Sequence, residues 1–309
     1  MPNILRAADK PTLVTSIRSL SNPYHAVWKT GAEAYAKWAG LEHVTLVSEG
    51  NSEKGIADIK AMLAKTNGNM VLNSDPNDTP DARPIVEACA KAGAYVVTQW
   101  NKPADLHPKD FNPNYVSHIE FDGIASGKTI AEILFKTMGG KGSILALTYH
   151  TGEVCRNREV ELDKALAANP DIKVTKNEVR IPGYFEDGAQ YANAWLASHP
   201  AGQENLAIWG CWDDPAIGAI GSLRAQGRDD VKVYGVNGNA QALENIKNGF
   251  MTATAWQDSY TEGYNMIKLL PEIRKAGADW TPKAVEVPAV LVTKDTIDDF
   301  IAKHPDAMK

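Results

Sequence analysis

At 309 residues, 44% hydrophobic and 23% charged, the chain can bury a large core, and its length favours two domains over one. A formal charge of -6, from 32 basic and 38 acidic residues, argues against affinity built on phosphate neutralisation, so duplex DNA and anionic membranes are poor partners. No apolar run approaches the roughly 20 residues of a membrane-spanning helix, and the polar opening stretch does not read as a signal peptide, which leaves a cytoplasmic chain or one whose leader has been removed.

The first strand is expected at Thr12 to Ile17. The helix after it places Val27, Gly31, Ala34 and Trp38 on one expected buried face, with Lys29, Glu33 and Lys37 outside it. Strands follow at His43 to Ser48, Met70 to Ser74 and Ala94 to Gln99; between the last two, Ile85, Cys89 and Ala92 form a second helical stripe that Gly93 stops. Pro103, Pro108 and Pro113 break the rhythm between Asn101 and Asn114. It restarts with a strand at Tyr115 to Glu120, a helix at Ala125 to Met138 and a strand at Ile144 to Thr148, the latter two joined by a Gly139 to Ser143 turn. A helix is then expected over Arg158 to Ala168. Further strands are predicted at Lys173 to Arg180, Leu206 to Gly210, Lys232 to Val236, Met251 to Gln257 and Val285 to Val292, with helices between them. Strand and helix alternate throughout, the pattern of parallel α/β sheets in two successive halves.

Three cysteines, Cys89, Cys155 and Cys211, lie far apart without a C-x-x-C, so no zinc or thioredoxin-type site is expected. Buried free thiols are the favoured reading, with a Cys155 to Cys211 bridge as the lesser alternative. No cofactor, metal site or catalytic residue is indicated, since G-x-S-x-G, H-E-x-x-H and both glycine-rich phosphate loops are missing.

In open parallel sheets, ligands bind beyond the carboxyl ends of the strands. Those loops here are rich in aromatic and amide or acid residues: Asn22, Tyr24 and His25; Trp100 and Asn101; Trp212 and Asp213; Asn237; Trp256 and Gln257. Rings cover C–H faces of a sugar or polyol while amides and charged groups satisfy its hydroxyls. Trp100, Trp212 and Trp256 stand apart from Trp28, Trp38, Trp195 and Trp280, which read as packing residues. Asp213 can also serve simply to open the next helix. Arg156 and Arg158 are candidates because an arginine in a helix first turn opposes the macrodipole. Tyr184 completes the candidate set.

Taken in order, these residues resemble the ribose- and galactose-type sugar-binding proteins of ABC importers, over nearly the whole chain. Ser21-Asn22-Pro23-Tyr24 ahead of Gly31-Ala32 resembles the family's opening segment; Gly127 and Lys128 match the passage from the first hinge strand into the second lobe. Arg158 matches its helix-start arginine, Asp213 its Asn-Asp position, Asn237 its usual Asp and Gln257 its hinge glutamine. Trp100-Asn101 and Trp212 depart from the ribose-type pattern, so ribose or galactose is not assigned, and a sugar acid stays open through Arg156, Arg158 and His25.

The resemblance implies two Rossmann-like α/β lobes with parallel sheets flanked by helices, joined by a three-strand hinge: residues 1–120 with 257–288, and 121–256 with 289–309. It further implies a monomeric extracytoplasmic receptor, periplasmic or lipid-anchored, that closes over a monosaccharide or polyol and is read by an ABC permease. Tyr24, His25 and Trp100 would form one wall, and Arg158, Trp212 and Asn237 the other. The rivals are the core of a LacI-type regulator, which needs a basic helix-turn-helix ahead of it, and a sugar-processing enzyme.

Overall fold

Short β-branched runs bounded by Gly, Asn and Pro make strands, and the helices that follow them cover both sheet faces. The computed structural model describes residues 10–119, 123–202, 205–268, 270–282 and 289–308. The chain divides into two compact units, Met1–Phe121 with Asp258–Val287, and Asp122–Gln257 with Pro288–Lys309.

The first unit opens with β1 (Thr12–Ile17), α1 (Pro23–Ala39), β2 (His43–Val47) and α2 (Ser52–Lys65). It continues with β3 (Met70–Ser74), α3 (Ala82–Ala92), β4 (Tyr95–Gln99) and β5 (Tyr115–Ile119). The strands pair in parallel in the order β2-β1-β3-β4-β5. Every residue of β3 and β4 is buried, as expected for strands covered on both faces. The proline-rich stretch between β4 and β5 holds only a 3-10 turn at Pro108–Phe111, and Gly93 closes α3 in the left-handed conformation that glycine favours.

In the second unit α4 (Ile124–Met138) leads to β6 (Gly142–Thr148), α5 (Glu153–Ala167), β7 (Ile172–Glu178) and α6 (Tyr184–Leu196). Then come β8 (Leu206–Gly210), α7 (Asp213–Ala225), β9 (Val231–Asn237), α8 (Ala240–Lys247) and β10 (Ala253–Trp256). After α9 (Ser259–Lys268) and α10 (Leu270–Ala276), which belong to the first unit, β11 (Val290–Thr293) and α11 (Ile297–Lys303) complete the second. Its sheet order is β11-β10-β9-β8-β6-β7, parallel except for β11. In both sheets the unit's first strand lies between its second and third. Each therefore has a switch point, β1/β3 in one and β6/β8 in the other, where two loops leave in opposite directions and open a crevice.

Two helix contacts are made backbone to backbone. A Cβ on Gly188 of α6 would lie 2.1 Å from the Pro215 carbonyl oxygen of α7, and one on Gly218 of α7 would lie 2.2 Å from that of Phe185 in α6. In the first unit, a Cβ on Gly263 of α9 would meet the Trp28 carbonyl oxygen at 2.0 Å, which brings α9 hard against α1.

Several expectations are corrected. The buried stripe of α1 runs through Tyr24, His25, Trp28, Gly31, Ala32, Tyr35 and Ala36, whereas Trp38 is 74% exposed. The helix α5 starts at Glu153, whose charge suits a helix N-terminus, so Arg158 lies in the second turn and the macrodipole argument for it lapses. Gly127 and Lys128 lie within α4, where Gly127 lets that helix approach the backbone of Arg158. Of the strand predicted at Val285 to Val292, residues 285–288 lie outside the described residues, as does Glu120 at the end of the β5 prediction.

Candidate functional site

In the first unit, chain order and capping chemistry bring the predicted residues together. Asn22 caps α1, its Oδ1 accepting from the backbone N–H of Tyr24 at 3.0 Å and of His25 at 3.3 Å, which fixes where those rings leave the helix. Trp100, directly after β4, adopts a φ of +61°. Its ring centroid lies 4.7 Å from that of Tyr24 and 5.5 Å from that of His25, so three aromatic residues from two strand ends form one cluster.

Beneath the cluster is a buried polar hub that sequence reasoning missed. Asp75, following β3, accepts from His25 Nε2 at 2.8 Å, Arg18 Nη2 at 3.3 Å and Asn101 Nδ2 at 3.4 Å, and its Oδ2 lies 3.1 Å from Arg18 Nε in an ion pair. Asn101 also donates to the Pro76 carbonyl at 2.9 Å. Arg18 follows β1 and Asp75 follows β3, so the pair straddles the switch point. The strand-end rule applied to Ser74-Asp75-Pro76 would have found it. Around the hub, the side-chain amides of Asn73 and Gln99 and the Nδ1 of His25 are buried without a hydrogen-bond partner. Such groups ordinarily pair, and their concentration at strand ends marks a place prepared for polar atoms from outside the chain.

Tyr24 is anchored from behind, its hydroxyl donating to Oε2 of the buried Glu262 in α9. Burial pushes the Glu262 carboxyl well above the usual range, against the lowering effect of that hydrogen bond.

In the second unit the corresponding crevice holds Arg158, Trp212, Tyr184 and Asn237. Arg158, only 3% exposed, donates through Nη1 to the Cys211 carbonyl at 2.6 Å and through Nη2 to Gln257 Oε1 at 3.3 Å. Its Nε is buried without a partner, and among the described residues no carboxylate pairs with it. Trp212 meets Tyr184 edge-on at 5.6 Å and Tyr149, which sequence reasoning also missed, at 5.8 Å. Its Nε1 donates to Asp214 at 3.1 Å. Asn237 takes a φ of +116° at the end of β9, and its buried Oδ1 lacks a partner.

Three candidates have different tasks from the ligand contacts expected. Asp213 is fully buried: Oδ1 accepts from the Thr254 hydroxyl at 2.7 Å, and Oδ2 from the N–H of Gly238 at 2.6 Å and of Asn239 at 3.1 Å. With both oxygens in use, it shapes the loop that presents Asn237. Arg156 donates to the His150 carbonyl and braces the loop after β6. Trp256 packs at 5.0 Å on Phe300 and 4.7 Å on His304, inside the core beneath α11.

Burial pushes Asp213 up to about 8 and Asp214 up to about 7, although each accepts hydrogen bonds that favour its charged form. An acid whose folded pKa lies above its unfolded value keeps a proton that the unfolded chain has released. Its contribution to stability therefore falls as pH rises from about 4 and levels off near 8. An asparagine at position 213 can reproduce the pattern, its oxygen accepting both N–H groups and its amide donating to Thr254. Urea titrations at pH 4.5 and 8.5 should show the native chain losing roughly 1–3 kcal/mol more than Asp213→Asn over this interval; equal losses would mean that Asp213 is ionised throughout.

The periplasmic binding protein domain model matches residues 13–278. The ribose import binding protein RbsB of Salmonella typhimurium is 27% identical over 254 residues, covering 81% of this chain and 80% of that protein. A xylitol-binding protein of Mycolicibacterium smegmatis is 27% identical over 189 residues, covering 60% and 52% respectively. The crystal structure of a twin-arginine translocation pathway signal protein from Burkholderia phytofirmans superposes with a TM-score of 0.89 at 41% identity, covering 96% of this chain and 94% of that one. Two parallel α/β units of one topology, spanned almost entirely by the family's model, make this chain a member of the periplasmic binding protein family, which is composed of binding proteins rather than enzymes.

Proposed function

We propose that the chain is an extracytoplasmic receptor that binds a neutral monosaccharide or polyol and delivers it to the permease of an ABC importer. The observation that carries this reading is the set of buried polar atoms without partners beside aromatic rings at the strand ends: His25 Nδ1 and the Gln99 amide in one unit, Arg158 Nε and Asn237 Oδ1 in the other. Donors and acceptors of both kinds, next to ring clusters, suit a molecule with many hydroxyls and C–H faces. The names of the relatives, one a ribose and one a xylitol binder, support the same class. In the first unit the Arg18 guanidinium is already matched by the Asp75 carboxylate, so that pair does not call for an anionic ligand there.

Thermal-shift screening against pentoses, hexoses, polyols and sugar acids tests this. A ligand at 100 times its dissociation constant stabilises by about 2.7 kcal/mol, easily seen as a raised midpoint. At least one neutral sugar or polyol should shift the midpoint, and sugar acids should not. A shift with acids alone, with no compound of the panel, or with chemical turnover of the compound that binds, would overturn the reading.

A further inference from the structure

Cys155 lies in the first turn of α5, three residues before Arg158 and so on the same helix face. Arg158 reaches across to the carbonyl of Cys211, the residue that follows β8. The two cysteines, both free buried thiols, therefore flank one guanidinium and share the hydrophobic core of the second unit, and the Cys155 side chain is among the groups that raise the Cys211 thiol. Cys89, by contrast, is in α3 of the first unit, fully buried, with its thiol pushed up to about 12 by burial alone.

We propose that Cys155 and Cys211 form a disulfide in an oxidising compartment, tying the start of α5 to the end of β8 beside the candidate site. Two S–H bonds break and one S–S bond forms; the two protons and two electrons pass to a disulfide oxidant such as oxidised glutathione, which leaves as two thiols. Burial holds the Cys211 thiol well above its ordinary range, so thiolate attack is slow in the folded unit and the bond is set as the chain folds. Once made, it closes a long loop and braces the segment carrying Arg158 against the one carrying Trp212. This inference concerns the thiols alone and stands whether or not the ligand is a sugar.

The test uses the whole chain, refolded in a glutathione redox buffer, then denatured without reductant and treated with N-ethylmaleimide. One adduct, on Cys89, and a linked Cys155–Cys211 peptide pair in the digest are expected; after prior reduction, three adducts. Three adducts in the oxidised sample, or a linked peptide containing Cys89, would overturn the proposal. Reduction should lower the unfolding midpoint by about 5–15 °C in the native chain and leave a Cys155→Ser/Cys211→Ser variant unchanged. Equal midpoints for the oxidised and reduced native chain would overturn the bracing role.

Discussion

Replacing Asp75 by alanine is expected to destabilise the first unit by about 3–5 kcal/mol, the range for removing one member of a buried ion pair. Arg18, His25 and Asn101 all direct nitrogen atoms at this one carboxylate, and all are buried. Alanine would take the carboxylate away from a buried guanidinium, and from an imidazole whose second nitrogen already lacks a partner. Asp75→Asn keeps one acceptor and should lose less. Urea denaturation of the three proteins measures the effect; an Asp75→Ala chain within 1 kcal/mol of the native one would show that the hub is solvated or dispensable. Because His25 and Trp100 rest on this hub, the variant should also bind its ligand more weakly even where it remains folded.

Arg158→Ala should show its main effect on binding, with the chain still folded though less stable for the two hydrogen bonds it loses. The guanidinium has no carboxylate partner among the described residues, so its removal strands no opposing charge. It loses two hydrogen bonds, to Cys211 and Gln257, and the unused Nε that a ligand oxygen would take. A charge-assisted hydrogen bond contributes about 1.5–3 kcal/mol, so losing the one at Nε should raise the dissociation constant for the best compound of the screen roughly 10- to 150-fold. Calorimetry on Arg158→Ala and Arg158→Lys decides it. Lysine keeps the charge without the planar fork and should rescue little. Native-like affinity in both variants would remove Arg158 from the site.

Much of this was legible in the sequence because local chemistry determined it. The runs of β1, β4 and β8 have few alternatives to buried parallel strands, and the strand-end rule leads from them to Tyr24, His25, Trp100 and Trp212. Where the reading slipped, the deciding contact was remote. Arg18 and Asp75 are 57 residues apart and become neighbours only through the β1/β3 pairing. Glu262 stands 238 residues from the Tyr24 hydroxyl it accepts from. Asp213 looks the same in sequence whether it meets a ligand or a turn, and only its donors from Thr254, Gly238 and Asn239 separate the two. The observed face of α1 differs from the expected one because Trp38, though apolar, is exposed, while the buried positions at the helix start are occupied by Tyr24 and His25.

The paired glycines of α6 and α7 have a consequence for how the second unit meets its ligand. Tyr184 begins one of these helices and Trp212 sits at the head of the other, so two rings ride on rods meshed at Gly188 and Gly218. Neither rod can slide without colliding with a carbonyl of its neighbour. The rings are thus held in position in the empty protein, and little ordering of the receptor remains to be done when a ligand arrives. New selectivity is then best sought by exchanging the rings themselves, with the meshed rods left as they are.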